Sequence, residues 1–346
     1  RNWDGQDGRP LLETLAFCGL PIPLLSRRAL NRAHQLMTEA DVVHLHVPWD
    51  PICVQLAGLC LRMNKPYIVT VHGMLDDWTM QQGSLKKRAY LFLMGRRMLE
   101  GAAVVQSAAR VEQEQSARWY PKGQSCVIPL PFDLNEFAEL PGPEMARQKF
   151  PQATCGPFCV LFLGRLHPIK RIDMLLEAMA TLREDGTAAR LILAGSGEPA
   201  HEAEVKRQVE QLKLGDRVHF VGFVTGPAKL SLYQAANVAV LPSAHESFGY
   251  AIVEAMAAGT PGIVTEGVNI WRELADTGGA MIVKASAEAL ARALRELHEN
   301  PGLRADMGRR AREGVTRWLN QDVIVSQYET MYRDTAARSP GSRAAS

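Results

Sequence analysis

Apolar residues in this chain come in short unbroken runs. The runs are ADVVHLH (40–46), PYIVTVH (66–72), AAVVQS (102–107), SCVIPL (125–130), CVLFLG (159–164), RLILAG (190–195), RVHFVG (217–222), VAVLPS (238–243), GIVTE (262–266) and AMIVK (280–284). Most are continuous rather than alternating, as in strands covered on both faces of a parallel sheet. Between them lie amphipathic segments, such as Ile172–Leu182, Ala200–Leu212 and Ala287–Glu299. A last helix is predicted from about Val315 to Arg333. The repeated β-α-β order predicts an α/β protein with parallel sheets. The rhythm weakens once, across Pro131, Pro141, Pro143, Pro151 and Pro157, and starts afresh at Cys159. That stretch reads as a domain junction. The expected division is a first domain over 1–150, a second over 151–333 and a small, polar, disordered tail over 334–346.

Chemistry concentrates where runs in the second half end. After the strand 159–163 comes Gly164-Arg-Leu-His-Pro-Ile-Lys-Arg171, with a helix starting near Ile172. Arg165 and Lys170 therefore sit on a loop at a strand's carboxyl end, the edge where open α/β sheets bind ligands. A guanidinium fork and a compact ammonium together suit a diphosphate. The run VAVLPS is followed by His245-Glu-Ser-Phe-Gly-Tyr-Ala-Ile-Val-Glu254, with a helix ended by Gly259 and Pro261. Glu246 falls on the loop and Glu254 on the helix's second turn. Gly249 lets backbone come close to a ligand, and a helix N-terminus favours anionic oxygens. A carboxylate accepts only, so it can take both hydrogens of a vicinal diol. Gly267 follows the strand GIVT and can turn backbone N–H groups to phosphate. Gly195-Ser-Gly197 is no dinucleotide fingerprint, because the third glycine and the downstream acid are missing. An NAD-dependent oxidoreductase is excluded on that ground.

The set GRLHPIK, LAGSGE, VHFVGF, HESFGYAIVEAMAAGTP and IVTEGVN occurs in this order over 159–300. Together these motifs resemble glycosyltransferase family 4, the retaining GT-B enzymes. HESFGYAIVEAMAAGTP looks like that family's E-x7-E motif. The resemblance implies two Rossmann-like domains with parallel sheets facing across a cleft, the first for the acceptor and the second for the nucleotide sugar. It implies that Arg165 and Lys170 hold the donor diphosphate and that Glu254 binds the ribose diol. Glu246 would face the transferred sugar, and backbone at Phe248 and Gly249 would contact the donor.

In the first half, VHGMLDDW (71–78) is similar to a PHGMLDPW run of family members that build bacterial surface polysaccharides, departing from it at Val71 and Asp77. By that resemblance His72 approaches the transferred sugar, as a hydrogen-bond donor or a stabiliser of developing charge. His44 and His46 alternate on one strand, with no third ligand spaced to make a metal site. A second departure is Ile128-Pro-Leu-Pro-Phe-Asp133 where the family has I-P-N-G-V-D. The family also opens with a strand and a glycine-rich loop, absent ahead of Arg1, so more chain is expected before this residue.

The expected reaction moves a hexose-type sugar from a UDP- or GDP-sugar to a glycan or lipid-linked acceptor with retention, in cell-surface polysaccharide synthesis. No metal or other cofactor is expected, and the chain has no D-x-D. A nucleotide-sugar-binding relative, an epimerase or a non-catalytic form, would share the frame. The intact set of Arg165, Lys170, Glu246 and Glu254 argues for transfer.

Three bulk features modify this picture. The 346 residues suffice for two domains, and a formal charge of +2 gives no case for nucleic acid. The six cysteines form no C-x-x-C pair, so they read as buried free thiols in a reduced, cytoplasmic setting. Residues 85–118 carry seven cations against three glutamates, interleaved with Tyr90, Leu91, Leu93 and Met94. Such a basic amphipathic stretch is expected to make a peripheral membrane contact.

Overall fold

The computed structural model describes residues Leu24–Ala337. Every one of the ten apolar runs forms a strand. These are β1 (Val43–His46), β2 (Tyr67–Thr70), β3 (Val104–Ser107), β4 (Ser125–Val127), β5 (Cys159–Leu163), β6 (Arg190–Ala194), β7 (Val218–Gly222), β8 (Val238–Leu241), β9 (Gly262–Thr265) and β10 (Ala280–Val283). The chain divides into two compact units.

The first unit holds a four-stranded sheet in the order β1-β2-β3-β4, with β1, β2 and β3 parallel. Strand β2 is buried along its whole length. Its Tyr67 keeps a partner there, the phenol donating to the Met98 carbonyl at 2.6 Å. A buried hydroxyl left without one would cost on the order of 1–3 kcal/mol. The helix Pro51–Arg62 starts where Asp50 Oδ1 accepts from the Ile52 N–H, with Pro51 at its first position.

The second unit holds a six-stranded parallel sheet in the order β10-β9-β8-β5-β6-β7. Strands β8 and β9 are buried at every position. The amphipathic segments became the helices Ile172–Glu184, Pro199–Gln211 and Ala287–Glu299.

The two units are not drawn at 1–150 and 151–333. The first comprises residues up to Ser107, Gln115–Cys126 and the chain from Tyr328, and the second comprises Ala108–Glu114 and Val127–Gln327. The proline-rich stretch goes with the second unit because it is bonded there. The Ala146 N–H donates to Ser231 Oγ at 2.9 Å, and that hydroxyl donates to the Gly142 carbonyl at 2.6 Å. The end of the chain goes with the first unit. There Tyr332 OH lies 2.7 Å from His44 Nδ1, and Met331 Sδ lies 3.8 Å from Cys126 Sγ.

The last predicted helix is in fact two, Pro301–Trp318 and Gln321–Ala337. Asn320 separates them, its Oδ1 accepting from the Val323 N–H at 3.1 Å. Asp334–Ala337 are helical rather than part of a tail, and residues 338–346 lie outside the described ones. Cys53, Cys60 and Cys159 are buried thiols. Cys155 is exposed, against expectation, because it ends the short turn Pro151–Thr154 instead of entering the strand. Cys18 lies outside the described residues. No described helix is long and apolar enough to cross a membrane.

Replacing an N-cap Asn by Ala typically costs about 0.5–2 kcal/mol. Asn320→Ala should therefore lower unfolding free energy by about 1 kcal/mol in denaturant titration, and an unchanged midpoint would remove the cap from the account.

Candidate active site

In the second unit, strand-end loops are hydrogen-bonded to one another. Past β5 and β6, the Gly164 N–H donates to the Ala194 carbonyl and the Leu166 N–H to the Ser196 carbonyl, both at 2.9 Å. Past β8 and β9, the Glu246 N–H donates to the Gly267 carbonyl and the Asn269 N–H to the Glu246 carbonyl, both at 2.9 Å. The Ala244 N–H, donating to the Ile169 carbonyl at 2.8 Å, ties the β5 loop to the β8 loop.

These bonds position one catalytic candidate, Glu246, and one donor-binding candidate, Lys170. His167 Nδ1 accepts from the Ile169 N–H and caps the short turn Pro168–Lys170. Arg171, left-handed at φ 51°, then turns the chain into the helix Ile172–Glu184. Lys170 is thereby aimed at Glu246, and Nζ donates to Oε2 in a part-buried ion pair. An ammonium has three donors, so two remain for a ligand's oxygens.

Gly249 precedes the helix Tyr250–Ala257 at φ 77°, a conformation that favours glycine. The first N–H groups of a helix have no intrahelical partner. The Phe248 side chain is buried, 4.8 Å from Tyr250 and 5.9 Å from Trp318 between ring centres, so what it offers a ligand is backbone. Gly267 is packed closely, since a Cβ there would stand 2.4 Å from the Ser243 carbonyl oxygen. Lys170, Glu246, Gly249 and Gly267 thus gather at one place.

Arg165 and Glu254 have other neighbours. Arg165 is exposed and lines a cavity of about 580 Å³ with Gly164, Gly195, Gly197, Phe223 and Val224. Glu254 Oε1 accepts from Lys229 Nζ at 2.9 Å, and Oε2 accepts from the buried Tyr233 hydroxyl at 2.6 Å. Burial, reinforced by Glu254, raises the Tyr233 phenol well above its usual range, so it stays a donor. A carboxylate has about four lone-pair sites, so two stay open on Glu254.

Sequence reasoning missed Lys229, Tyr233 and Phe223. The first two stand four apart on the helix Gly226–Ala235, a spacing that shares a face. Phe223 directly follows the end of β7 and is 79 % exposed. An exposed aromatic at a strand's carboxyl end was a signal in plain view.

His72 belongs to the first unit, two residues past the end of β2 and left-handed at φ 50°. A non-glycine residue held there stores about 1–3 kcal/mol of strain. Its Nε2 lies 2.9 Å from His46 Nδ1. The ring of His46 stacks in turn on His44, with centres 4.3 Å apart. The Thr70 hydroxyl donates to Gln106 Oε1 at 2.7 Å, so it accepts from His44 Nε2–H, also at 2.7 Å. His44 Nδ1 is then left to accept from the Tyr332 hydroxyl. Among the described residues, no three His, Cys, Asp or Glu side chains are grouped to hold a metal.

The expected basic stretch 85–118 is not a single face. Arg110 bonds Glu273 and Asp276, Arg118 bonds Asp77, and Val105–Ser107 are buried in β3.

Two family models match this chain. Glycosyl transferases group 1 matches residues 146–314, and Glycosyltransferase Family 4 matches residues 6–136. The chain belongs to the group 1 glycosyltransferases. It is 29 % identical over 294 residues to the D-rhamnosyltransferase WbpZ of Pseudomonas aeruginosa, covering 83 % of this chain and 71 % of the relative. It is 28 % identical over 285 residues to the D-inositol 3-phosphate glycosyltransferase of Streptomyces avermitilis, covering 78 % of this chain and 60 % of that enzyme. Among solved structures, HepE of Anabaena in complex with UDP superposes with a TM-score of 0.75 at 20 % identity, over 89 % of this chain and 82 % of that one. WaaG, a glycosyltransferase involved in lipopolysaccharide biosynthesis, superposes with a TM-score of 0.64 at 18 % identity, over 93 % and 86 %. These two structures share the GT-B fold with this group 1 glycosyltransferase.

Two outcomes check this geometry. Gly267→Ala would press a Cβ onto fixed backbone, and overpacking typically costs about 1–3 kcal/mol. The variant should melt lower, and a wild-type melting curve would contradict the close approach. Burial, with the charges of His46 and His72 beside it, pushes His44 down to about 4 from the ordinary 6.5. Between those values the unfolded chain binds more protons, so stability should fall as pH drops below about 6.5. The loss should reach on the order of 2–3 kcal/mol by about pH 4.5. His44→Gln should flatten that decline, which denaturant titrations at several pH values would read.

Proposed function

We propose that this enzyme transfers a hexose-type sugar, with retention, from a UDP- or GDP-sugar to a glycan or lipid-linked acceptor in cell-surface polysaccharide synthesis. The observation that carries the reading is the Lys170–Glu246 ion pair beside Gly249, at the carboxyl ends of parallel strands. In the proposed step, the bond between the anomeric carbon and the β-phosphate oxygen breaks. The acceptor hydroxyl oxygen bonds to that carbon from the same face, and its proton passes to the departing phosphate. Arg165, the two free donors of Lys170 and the helix start at Gly249 oppose the growing charge on the leaving group. Glu246 faces the transferred sugar, and His72, held by His46, bonds one of its hydroxyls. The open lone pairs of Glu254 take the ribose diol, and the exposed Phe223 ring gives the base a surface to stack on. The chemistry needs no metal or other cofactor beyond the nucleotide sugar, and a cytoplasmic site supplies that donor. The UDP complex of HepE and the relatives named for sugar transfer support the donor class.

Thermal-shift assays with UDP, GDP, ADP and their sugars should give a clear rise in melting temperature with one base. Glu246→Gln should lower transfer by about a hundredfold or more while nucleotide affinity stays near wild type. Arg165→Ala should weaken the nucleoside diphosphate itself by about tenfold or more. Strong residual transfer in the first variant, or unchanged affinity in the second, sinks the assigned role.

A further inference from the structure

A further cavity, of about 450 Å³, opens within the second unit. It shares no lining residue with the cavity that Arg165 lines. Small-molecule sites commonly fall between about 300 and 1,000 Å³. Three helices wall it. Trp271–Thr277 brings Glu273 and Asp276, which stand three apart and so share a face. Pro301–Trp318 brings Arg317 and Trp318 at its end, and Gln321–Ala337 brings Gln327. Arg110 completes the charged wall.

Protein groups alone leave this wall unsatisfied. Glu273 is only 9 % exposed. Its Oε1 accepts from the Arg110 backbone N–H and from Arg110 Nε, both at 3.0 Å. Its Oε2 is buried and has no partner. A buried carboxylate oxygen in that state calls for a donor. The Arg110 guanidinium cannot supply another bond freely, since Nη2 already donates to Asp276 Oδ2. Arg317 and Gln327 are exposed, and among the described residues neither side chain has a partner. Trp318 stacks on the buried Phe248, with ring centres 5.9 Å apart, and so lines the cavity as a fixed surface.

Two guanidinium groups face two carboxylates here, so the wall has no net charge. A phosphate entering it would meet Glu273 and Asp276, and an ammonium would meet Arg317. A hydroxyl both donates and accepts, so neighbouring hydroxyls can answer Glu273 Oε2 and Arg317 together. The electron-rich face of an indole attracts the faintly positive C–H groups that a pyranose carries on its flatter side. We propose that this cavity is a saccharide site, taking one or two neutral sugar rings that carry no nucleotide. Glu273 Oε2 accepts from one hydroxyl, Arg317 and Gln327 donate to others, and Trp318 is the stacking surface. A sugar held there braces Trp318 against Phe248, the neighbour of Gly249 in the candidate active site.

The test is titration of the full chain with maltose, cellobiose and mannobiose, followed by saturation-transfer NMR. At least one should bind with a dissociation constant of about 10 mM or tighter. R317Q/Q327A should weaken that binding about tenfold or more. Both side chains are exposed, so its melting temperature should match wild type. E273Q puts an amide donor beside the sugar hydroxyl and should weaken binding to a similar degree. Arg165→Ala, in the other cavity, should leave sugar binding unchanged. Failure of all three sugars to bind overturns the proposal. So does binding that R317Q/Q327A keeps in full or that Arg165→Ala abolishes, and so does tighter binding of inorganic phosphate or methylamine at these residues. Sugar binding needs no nucleotide, so its failure and a failure of the transfer reading are told apart.

Discussion

Parallel ladders that continue past the strand ends are the constraint on which the rest of the second unit depends. A strand buried on both faces has no room for an ionised side chain, because desolvating a charge without a partner is too costly. Strands β8 and β9 are buried throughout, so every charged group they serve stands in the loops beyond them. Those loops are not free. Glu246 bridges to Val268 and Leu166 to Gly197, each extending a ladder by backbone bonds. The positions of Lys170 and Glu246 therefore follow from the sheet itself, with little left to side-chain choice. That is the preorganisation an electrostatic mechanism needs, since donors fixed before the reaction cost no rearrangement during it.

The ionised groups are used economically. Glu246 has Lys170, and Glu254 has Lys229 and Tyr233, yet each cluster keeps unused donors or lone pairs. With protein partners on one side, such groups are held in place without being fully occupied. The histidines of the first unit follow another rule. Burial holds His44 and His46 and His72 toward their neutral forms, so that rings can stack and share single protons without repulsion.

Much of this was legible in the sequence. Unbroken apolar runs gave all ten strands, because burial on both faces leaves an unmistakable mark on composition. The loops that follow them put Lys170, Glu246, Gly249 and Gly267 together, since a strand's carboxyl end is fixed once the strand is. What escaped depends on distant partners. Lys229 and Tyr233 become meaningful only when Glu254 is seen between them. The proline-rich stretch reads as a junction until Ser231 is found bonding Ala146 and Gly142. A continuous apolar period hid the break at Asn320, where one side-chain cap outweighs the periodicity on either side. Cys155 was read with the other cysteines as a buried thiol, but it closes a turn.

The return of the last helix to the first unit has a consequence for how the protein is made. His44 and Tyr332 are 288 residues apart in the chain. A ribosome adding roughly 5–20 residues per second needs on the order of 15–60 s to span that interval. Through that time His44 of β1 waits without its Tyr332 partner, while the second unit can be synthesised and folded whole. The unit that begins first is thus the one that finishes last, and chaperones meeting the nascent chain would find its incomplete edge exposed longest.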